Sequence, residues 1–593
     1  MSNEKPYRRV VRHLTTGFAA VLVFLALIVP DQIFRLPPGN SVFTALLRVP
    51  IEALIAGAIL LLLPERGRLG RVRRPLAATL GVLLGLLTVV KLIDIGFFAV
   101  LARRFDPALD WILLDDGFNF LTDSVGKPAA IGAAAGAVVV AVVLVAGMTW
   151  AVLRLNSVLG VRALGVNVLG VNVLGVNVLG VNGAGRRRTW ALRGLGAVTA
   201  AWVALAALGT QLIGGIPVAS HTAAELAAHT ALALPNDLRD RKRFAEEVQV
   251  DAYRDRPADQ LLTGLRDKDV IISFVESYGR DALENPQFNG AVLDSLTANS
   301  ARLAEAGFGA RSGFLTSSTA GGGSWLAHAT FLSGLWIDNE QRYRSLVSSD
   351  RLTLTEAFGK SGHRTVGVQP GITFAWPEGQ FYGYDHIYDS HTLGYNGPAF
   401  SWSTMPDQYV MSAFQKLEYA GRDKAGRDKT GRDRGAGGLL AEITLTSSHT
   451  PWAPVPSMVD WDAVGDGSVY GPMVASAESP QNLWKQSDRV KSEYARSVGY
   501  SLDSLLGFVT RYADDDLVMV FLGDHQPAPV VVGQNATHDV PITIVAKDPK
   551  VFDRIASWGW SEGLKPAADA PVWRMDTFRD RFLAAYGPEG DPH

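Results

Sequence analysis

The chain of 593 residues joins an apolar, basic first part to an acidic second part. Its 56 Lys+Arg and 58 Asp+Glu give a net charge of −2. Up to Ile216 there are 21 basic and 10 acidic residues (+11), which leaves 56 − 21 = 35 and 58 − 10 = 48 (−13) in the remainder. The 48% of hydrophobic residues excludes a disordered chain. The absence of cysteine excludes disulfides, cysteine-ligated zinc and cysteine nucleophiles.

Five apolar stretches of the first part are long enough to suggest transmembrane helices, which need roughly 20 residues each. They lie at 16–34, 49–63, 75–101, 128–153 and 189–216, and we expect the second to begin near Val42. Arginines cluster before the first stretch, between the second and third, and before the fifth. The positive-inside rule therefore predicts a multi-pass protein of the cell (plasma) membrane with a cytoplasmic N-terminus. Five spans would place everything after Ile216 outside the cytoplasm.

Three domains follow from this pattern: a transmembrane domain of five helices (1–216), a helical linker (217–265) and an extracytoplasmic domain (266–593). Lys91 and Asp94 fall inside the third span, where they form either a functional site or a mutually neutralising pair. Two five-residue repeats, at 158–182 and 420–434, match no solenoid period and are given no function.

Strands and helices alternate in the extracytoplasmic domain. Apolar runs predict strands at 270–275, 365–368, 439–445, 517–522 and 540–545. Helices are predicted at 292–306, 325–332, 354–359 and 490–512. This alternation indicates an α/β fold with a largely parallel central sheet. Ligands of such sheets bind outside the carboxyl ends of the strands, so polar residues at those ends are the candidates for a functional site.

Three of the predicted strands end in residues that can bind a metal or move a proton. Glu276 follows the first strand, His449 follows the third, and Asp524 and His525 follow the fourth. Between the first two of these strands lies a run of three glycines that ends at Ser324 and opens a helix.

A serine hydroxyl is a poor nucleophile until a base or a cation lowers its pKa. A divalent metal held by Glu276, Asp524 and His525 could bind Ser324 and lower the pKa of its hydroxyl. The helix that begins at Ser324 would present backbone N–H groups to an anion, and His449 could serve as general acid or base. The alternative for Ser324 is a helix N-cap, a position that serine favours.

From about Val270 to Ala585 the chain resembles the alkaline phosphatase superfamily, in its sulfatase-like branch. Within that branch it is most similar to membrane-anchored lipoteichoic acid synthases and phosphoglycerol transferases. The resemblance is carried by Glu276-Ser277, by Gly523-Asp524-His525, by Ser324 ten residues before Gly334, by His449-Thr450-Pro451 and by the aromatic segment 374–385.

The resemblance implies an alkaline-phosphatase-like fold and a metal-dependent transferase. Such an enzyme would move a phosphoglycerol-type group from a phospholipid to a cell-envelope glycan or polymer through a phospho-Ser324 intermediate. One divalent metal is expected, Mn²⁺ by resemblance with Mg²⁺ or Zn²⁺ as alternatives. Its ligands would be Glu276, Ser324, Asp524 and His525, and the substrate would contact Trp376, His449 and His328. The expected partners are the donor lipid, the acceptor and the membrane, and no nucleic acid.

The chain departs from these families at three places, the first being Ser277 after Glu276, where sulfatases usually have paired acidic residues. Leu326 and His328 stand where sulfatases have proline and arginine, which argues against formylglycine chemistry. Glu378 stands where lipoteichoic acid synthases have an arginine near the pocket tryptophan. Two alternatives stay open: a phosphodiesterase or sulfatase-like hydrolase with the same site, and a non-catalytic lipid-binding or transport protein that depends on Lys91 and Asp94.

Overall fold

The structure is a computed structural model that describes residues 6–32, 48–62, 68–101, 103–106, 109–110, 113–114, 117–118, 121–122, 126–161, 183–208, 210–213, 216–217, 219–220, 222–420, 438–533 and 536–588. The chain divides into two compact units. The first comprises 1–98 and 103–237 and is called the membrane unit, and the second comprises 99–102 and 238–593 and is called the catalytic unit after the activity proposed for it below. Most of both five-residue repeats, 162–182 and 421–434, lies outside the described residues.

The membrane unit is helical. Its helices are α1 (Pro6–Gln32), α2 (Ile51–Leu62), α3 (Arg68–Leu101), α4 (Lys127–Val161) and α5 (Gly183–Ala207), and α6 (Thr222–Gln249) begins in it. Short pairing segments lie at Val49–Pro50, Gln211–Ile213, Ile216–Pro217 and Ala219–Ser220.

Three helices in the described part of the chain are long and apolar enough to cross a membrane: Val10–Ile28, Arg71–Phe98 and Lys127–Ser157. The prediction of five spans is therefore not confirmed. The second predicted span corresponds to α2, which has 12 residues and a length of roughly 18 Å against the ~30 Å of a bilayer core. In α5 the apolar part is Gly196–Ala207, because arginines occupy the first half of that helix.

Helices α3 and α4 pack closely through small residues. A Cβ atom on Gly81 would lie 2.5 Å from the Cα of Thr149, and one on Gly85 would lie 2.6 Å from the Cα of Val145. Two glycines four residues apart thus form a flat face of the kind that lets membrane helices approach each other. On the same α3, Lys91 Nζ donates to the carbonyl oxygens of Ala26 and Leu27, both at 3.2 Å, and so holds α3 against α1.

The catalytic unit is built on one sheet of nine strands, β1 (Asp269–Val275), β2 (Gly309–Thr316), β3 (Arg364–Gln369), β4 (His386–Asp389), β5 (Leu439–Leu445), β6 (Leu517–Gly523), β7 (Asp539–Ala546), β8 (Ser561–Glu562) and β9 (Val572–Arg574). The strand order is β8-β2-β7-β6-β1-β5-β3-β4, with β9 paired to β2. All five predicted strands are present, and β2, β4, β8 and β9 were not predicted.

The sheet is mixed rather than simply parallel. Strands β6, β1, β5, β3 and β4 pair in parallel, whereas β7 runs antiparallel to both β6 and β2. Two antiparallel pairings in succession restore the original direction, so β2 points the same way as β1. The carboxyl ends of β2, β6, β1, β5 and β3 therefore lie along one edge, the edge at which ligands of such sheets bind.

Helices cover both faces of this sheet. They are α7 (Asp281–Glu284), α8 (Gly290–Glu305), α9 (Ser324–Ser333), α10 (Glu340–Val347), α11 (Leu354–Lys360), α12 (Asp407–Phe414), α13 (Gly471–Ala475), α14 (Pro480–Leu483), α15 (Ser487–Tyr512), α16 (Pro529–Val532), α17 (Pro549–Asp553) and α18 (Phe578–Ala585). Alternate residues of each strand enter separate cores. Ile271 of β1 packs with α8, α12 and α15 on one face, and Ile272 packs with α9, α11 and α18 on the other.

Part of the predicted linker, 238–265, packs into the catalytic unit. Leu261, Leu262 and Leu265 are buried in the core that contains α18. Asp251 binds Arg579 of α18 through two hydrogen bonds of 3.0 and 3.1 Å, and both side chains are completely buried. Removal of either partner of a buried ion pair is strongly destabilising. This ion pair therefore holds the segment to the α/β core in addition to the chain connection.

Candidate active site

Three ionisable side chains meet at the carboxyl edge of the sheet because β1 lies between β6 and β5. Glu276 follows β1 directly, and Asp524 and His525 follow β6. All three are buried, and one potential ligand atom from each lies within 4.8 Å of the others. These are the same three residues that the sequence analysis predicted to lie together at adjacent strand ends.

The turn after β1 is shaped to join the two strand ends. Ser277 has a φ of +57°, which is uncommon for a residue with a side chain and is found mostly at functional sites. In this conformation the Ser277 N–H donates to Asp524 Oδ1 (2.7 Å) and the Ser277 hydroxyl donates to Glu276 Oε1 (2.7 Å). The turn therefore orients both carboxylates.

The glycine run brings Ser324 to this cluster. Gly321 and Gly323 have φ values of +75° and +81°, which favour glycine, and the Gly321 N–H donates to the carbonyl oxygen of Gln526 (2.8 Å). This bond ties the loop after β2 to the loop after β6. Helix α9 then starts at Ser324, with Gly323 as its N-cap.

Ser324 is not the cap of its helix. Its hydroxyl donates to Glu276 Oε2 (2.9 Å) and lies 3.2 Å from His525 Nε2. The N-cap alternative is therefore wrong for this side chain, because the capping position belongs to Gly323 and no side chain caps the helix. Ser324 is half-buried, unlike the buried Glu276, Asp524 and His525, so its hydroxyl is the part of the cluster most open to a ligand.

The hydrogen bonds of His525 determine which ring nitrogen faces Ser324 with a lone pair. His525 Nδ1 lies 2.8 Å from the carbonyl oxygen of Gln526. Since a carbonyl oxygen only accepts, Nδ1 carries the hydrogen and Nε2 presents its lone pair towards Ser324. A neutral imidazole in this state can bind a metal or accept a proton.

The two carboxylates fit a divalent cation. Burial raises the pKa of Asp524, and the nearby Glu276 raises it further. Burial also acts to raise the pKa of Glu276, but at the acidic pH where this carboxyl titrates, the protonated rings of His525 and His449 lower it overall. Asp524 Oδ2 is buried without a hydrogen-bond partner in the described structure. Two adjacent carboxylates, one of them with an unsatisfied oxygen, and one imidazole lone pair form a donor set that suits Mn²⁺, Mg²⁺ or Zn²⁺.

His449 lies on the loop after β5. Its Nδ1 donates to the carbonyl oxygen of Thr450 (2.5 Å), so Nε2 is the acceptor atom. Burial lowers the pKa of His449, which keeps the ring neutral at pH 7. The neighbouring Ser448 hydroxyl donates to the carbonyl oxygen of Glu276 (2.5 Å), which ties this loop to the metal-binding candidates.

Two residues that support His449 were not predicted from the sequence. The Trp402 ring stacks on the His449 ring, with centroids 3.7 Å apart. Asp407 is completely buried and its Oδ1 accepts the N–H groups of Thr446 and Ser447 (2.8 and 3.0 Å). No local sequence signal marks either residue, because both reach the loop after β5 from a distant segment.

The other two predicted substrate-contacting residues lie apart from the three ligand candidates. His328 is four residues after Ser324 on α9, and its ring stacks on Phe274 of β1 with centroids 3.8 Å apart. Trp376 lies after β3, half-buried, with its ring centroid 5.6 Å from that of Tyr382. Among the contacts of the described residues, none joins Trp376 to Ser324.

The chain is similar to several solved structures, each at 16% identity or less. The lipoteichoic acid synthase LtaP from Listeria monocytogenes matches 59% of this chain and 79% of its own, at 15% identity and a TM-score of 0.37. The phosphoglycerol transferase GacH from Streptococcus pyogenes, solved with sn-glycerol-1-phosphate, matches 51% and 72%, at 16% identity and a TM-score of 0.33. The periplasmic domain of EptC from Escherichia coli matches 56% and 89%, at 12% identity and a TM-score of 0.35. No protein-family model and no curated protein matches the chain.

Proposed function

We propose that this protein is a membrane-anchored, metal-dependent transferase that moves a phosphoglycerol-type group from a phospholipid to a cell-envelope glycan or polymer. The observation that carries the proposal is the position of Ser324: its hydroxyl lies 2.9 Å from a carboxylate oxygen and 3.2 Å from an imidazole nitrogen. A serine in such a position, half-buried beside three potential metal ligands, has the surroundings of an activated nucleophile.

Glu276, Asp524 and His525 would hold one divalent metal, Mn²⁺ in the proposal, with Ser324 as the fourth ligand. The bound metal supplies positive charge that lowers the pKa of the Ser324 hydroxyl and neutralises the phosphoryl oxygens. Glu276 Oε2, which accepts the Ser324 hydrogen bond, is the first acceptor of the serine proton. Backbone N–H groups at the start of α9 point towards the same anion.

The reaction then proceeds in two steps on Ser324. In the first, Ser324 Oγ gives its proton to Glu276 and bonds to phosphorus, the bond from phosphorus to the diacylglycerol oxygen breaks, and that oxygen takes a proton from solvent water. In the second, the acceptor hydroxyl bonds to phosphorus, its proton passes to Nε2 of the neutral His449 and from there to solvent, the bond to Ser324 breaks, and Ser324 Oγ regains the proton held by Glu276. A hydrolase differs only in using water as acceptor, so it keeps the first step and every residue named in it.

The membrane helices fit a lipid donor, because they anchor the catalytic unit to a membrane. We place the N-terminus in the cytoplasm and the catalytic unit outside it, from the arginine-rich segments. Three and five spans both put the catalytic unit on the side opposite the N-terminus, but only five keep the arginines of 66–74 and 186–188 in the cytoplasm, so the proposal takes five spans.

Ser324→Ala and Ser324→Thr in the full-length protein test the proposal. Labelled phosphatidylglycerol in mixed micelles would report diacylglycerol release, and intact mass would report the covalent adduct. We expect Ser324→Ala to lose at least several orders of magnitude of activity and the adduct, because alanine offers no oxygen to phosphorus. Ser324→Thr keeps a hydroxyl at nearly the same place and should retain measurable turnover.

The same assay separates the alternatives. Release of free glycerol phosphate in the presence of every acceptor tested would identify a hydrolase. Lipid binding by the parent protein without diacylglycerol release would support the non-catalytic lipid-binding reading. Near-parental release by Ser324→Ala would overturn the nucleophile.

A further inference from the structure

A carboxyl group is buried in the sheet beside the proposed active site. Glu442 lies in the middle of β5 and is 1% exposed, on the same face as Leu440, which packs with Phe274 and the residues of α9. Its Oε2 accepts a hydrogen bond from the Tyr384 hydroxyl (3.0 Å) and one from the Gln369 side-chain amide. A carboxyl group in an apolar core costs stability, so its presence there calls for a functional reason.

Glu442 also approaches the imidazole ring of His328. Glu442 Oε1 lies 4.0 Å from His328 Nδ1. The stacking of the His328 ring on Phe274, at a centroid distance of 3.8 Å and an angle of 17°, holds the plane of the ring over the end of β1. Glu442 therefore approaches one nitrogen of a ring whose plane is already set.

The other nitrogen of His328, Nε2, has no partner. This atom is buried and makes no hydrogen bond with any residue that the structure describes. His328 follows Ser324 by four residues on α9, so the two side chains lie on one face of the helix, one turn apart. A group bound to Ser324 Oγ is thus within one helical turn of an unsatisfied ring nitrogen.

The protonation states of Glu442 and His328 make His328 Nε2 a hydrogen-bond donor. Burial raises the pKa of Glu442 to about 8 and lowers the pKa of His328 to about 3, so at neutral pH the pair carries no net charge and Glu442 holds a proton. The proton of Glu442 is on Oε1, the oxygen that faces His328 Nδ1. The ring hydrogen of His328 is therefore on Nε2. Glu276 and His525 act on the ring from the Ser324 side, and Tyr384, Gln369 and Thr444 surround the carboxyl group.

We propose that His328 Nε2–H donates a hydrogen bond to a non-bridging oxygen of the phosphoryl group carried by Ser324, and that Glu442 is the positioning residue for this ring. The inference rests on the proposed function and extends it. As negative charge grows on the phosphoryl oxygen, a small shift that closes the 4.0 Å gap to hydrogen-bond distance lets the proton move from Glu442 Oε1 to His328 Nδ1. The donor becomes an imidazolium while the net charge of the pair is unchanged. A preorganised donor of this kind stabilises the charge that develops in the transition state.

Four variants of the full-length protein test this pair by diacylglycerol release, with metal content and thermal midpoint measured on each. His328→Phe keeps a ring to stack on Phe274 and removes the donor, so kcat should fall by about 10²–10³-fold with little change in KM. His328→Gln keeps an N–H donor and should recover part of that loss. Glu442→Gln keeps the shape but no longer shares a proton, and we expect a roughly tenfold lower kcat. Glu418→Gln, a buried glutamate that binds Arg364, is the matched control and should keep the parental kcat.

The outcomes separate this inference from the proposed function. Parental kcat in both His328→Phe and Glu442→Gln, with Ser324→Ala inactive, would overturn the role of the pair and leave the nucleophile standing. An active Ser324→Ala would overturn the proposed function first. If His328→Phe does not fold, Glu442→Gln decides alone, and a parental kcat in that variant rejects the proposal.

Discussion

Ser324 illustrates how one residue acquires a role from its surroundings. Its position at the start of α9 would suit a helix cap, yet its hydroxyl bonds to Glu276 and lies beside His525. Gly323 takes the capping position instead. The backbone thus directs the serine hydroxyl into the cluster of ligand candidates, where a cation or a base can act on it.

The first prediction at this scale concerns the metal. Asp524→Asn should lower the metal content of the purified full-length protein by at least tenfold, because an amide is a weaker ligand than a carboxylate and Oδ2 is the oxygen without a partner. Elemental analysis after dialysis against Mn²⁺ measures this. Asp539→Asn, on the neighbouring β7 and paired with Arg280, is the control. Parental metal content in Asp524→Asn would exclude it as a ligand.

The second residue-scale prediction concerns stability against pH. The folded state raises the pKa of Glu442 from 4.5 to about 8, mainly by burial. A raised carboxyl pKa means that the unfolded state loses its proton first, so the contribution of Glu442 to stability is largest below pH 4.5 and is lost as the pH rises to 8. At about 1.36 kcal/mol per pKa unit, the loss is on the order of 5 kcal/mol.

Glu442→Gln removes this titration. The variant should therefore be more stable than the parent at pH 8.5 and lose less stability between pH 5 and pH 8.5. The thermal midpoint in detergent, followed by tryptophan fluorescence, measures the difference. An unchanged pH slope in Glu442→Gln would show that Glu442 titrates at an ordinary pH in the folded protein. We expect Glu442→Gln to be more stable than the parent and to have a lower kcat, because groups that serve activity often reduce stability.

At the scale of elements, the loop after β2 positions Ser324 although it has no regular secondary structure. The Gly321 N–H bonds to Gln526 and an isolated bridge joins Ala320 to Gln526, so the loop after β2 runs beside the loop after β6. Positive φ values at Gly321 and Gly323 let the chain make this approach and then enter α9. The position of Ser324 therefore depends on glycine at these positions.

We predict that Gly323→Ala lowers stability by about 1–2 kcal/mol, because an L-residue is strained at a φ of +81°. It should also lower activity by at least tenfold, since relaxing the strain displaces Ser324. Gly362→Ala is the matched control: Gly362 has a φ of +97°, open space around its Cα, and lies on a turn after α11. Both variants should lose similar stability, and only Gly323→Ala should lose activity. Equal activity in the two would mean that the loop does not position the nucleophile.

At the scale of the whole molecule, a membrane unit and a catalytic unit share one chain. The proposed orientation predicts that a reporter active only outside the cytoplasm works when fused after Leu265 and fails when fused after Arg74. The reason is that the arginines of 66–74 resist translocation, and the five-span arrangement keeps that segment in the cytoplasm while it carries the residues after the last span across. A cytosolic reporter at the same two positions provides the reciprocal control. The reverse pattern would contradict the orientation.

Much of the catalytic unit is predictable from the sequence alone. The apolar runs of β1, β5, β6 and β7 locate buried strands, because a strand covered on both faces needs apolar residues throughout. Polar residues directly after these strands mark the site, since strand ends share an edge. The three ligand candidates Glu276, Asp524 and His525 follow from this reasoning, and Ser324 follows from the glycine run.

Other features of the molecule depend on contacts between residues far apart in the chain. Strand β2 contains the adjacent polar residues Arg311 and Ser312 and a mid-strand Gly313, so it carries no strong apolar signal. Its place beside the site depends on pairing with the antiparallel β7, which the local sequence does not encode. The number of membrane-crossing helices depends on where each helix ends, and in the described part of the chain α2 and the apolar part of α5 are shorter than the apolar stretches 49–63 and 189–216.

The candidate functional residues could be identified from the amino-acid sequence, because strand periodicity and strand-end position are local properties. The contacts of those residues depend on the tertiary fold. It assigned the helix cap to Gly323, stacked Trp402 on His449, and placed the buried Glu442 beside His328. The physical reason is that hydrogen bonds and ring stacking need distances of 3–4 Å, and such distances between β5, α9 and the segment before α12 are set by the packing of the whole sheet.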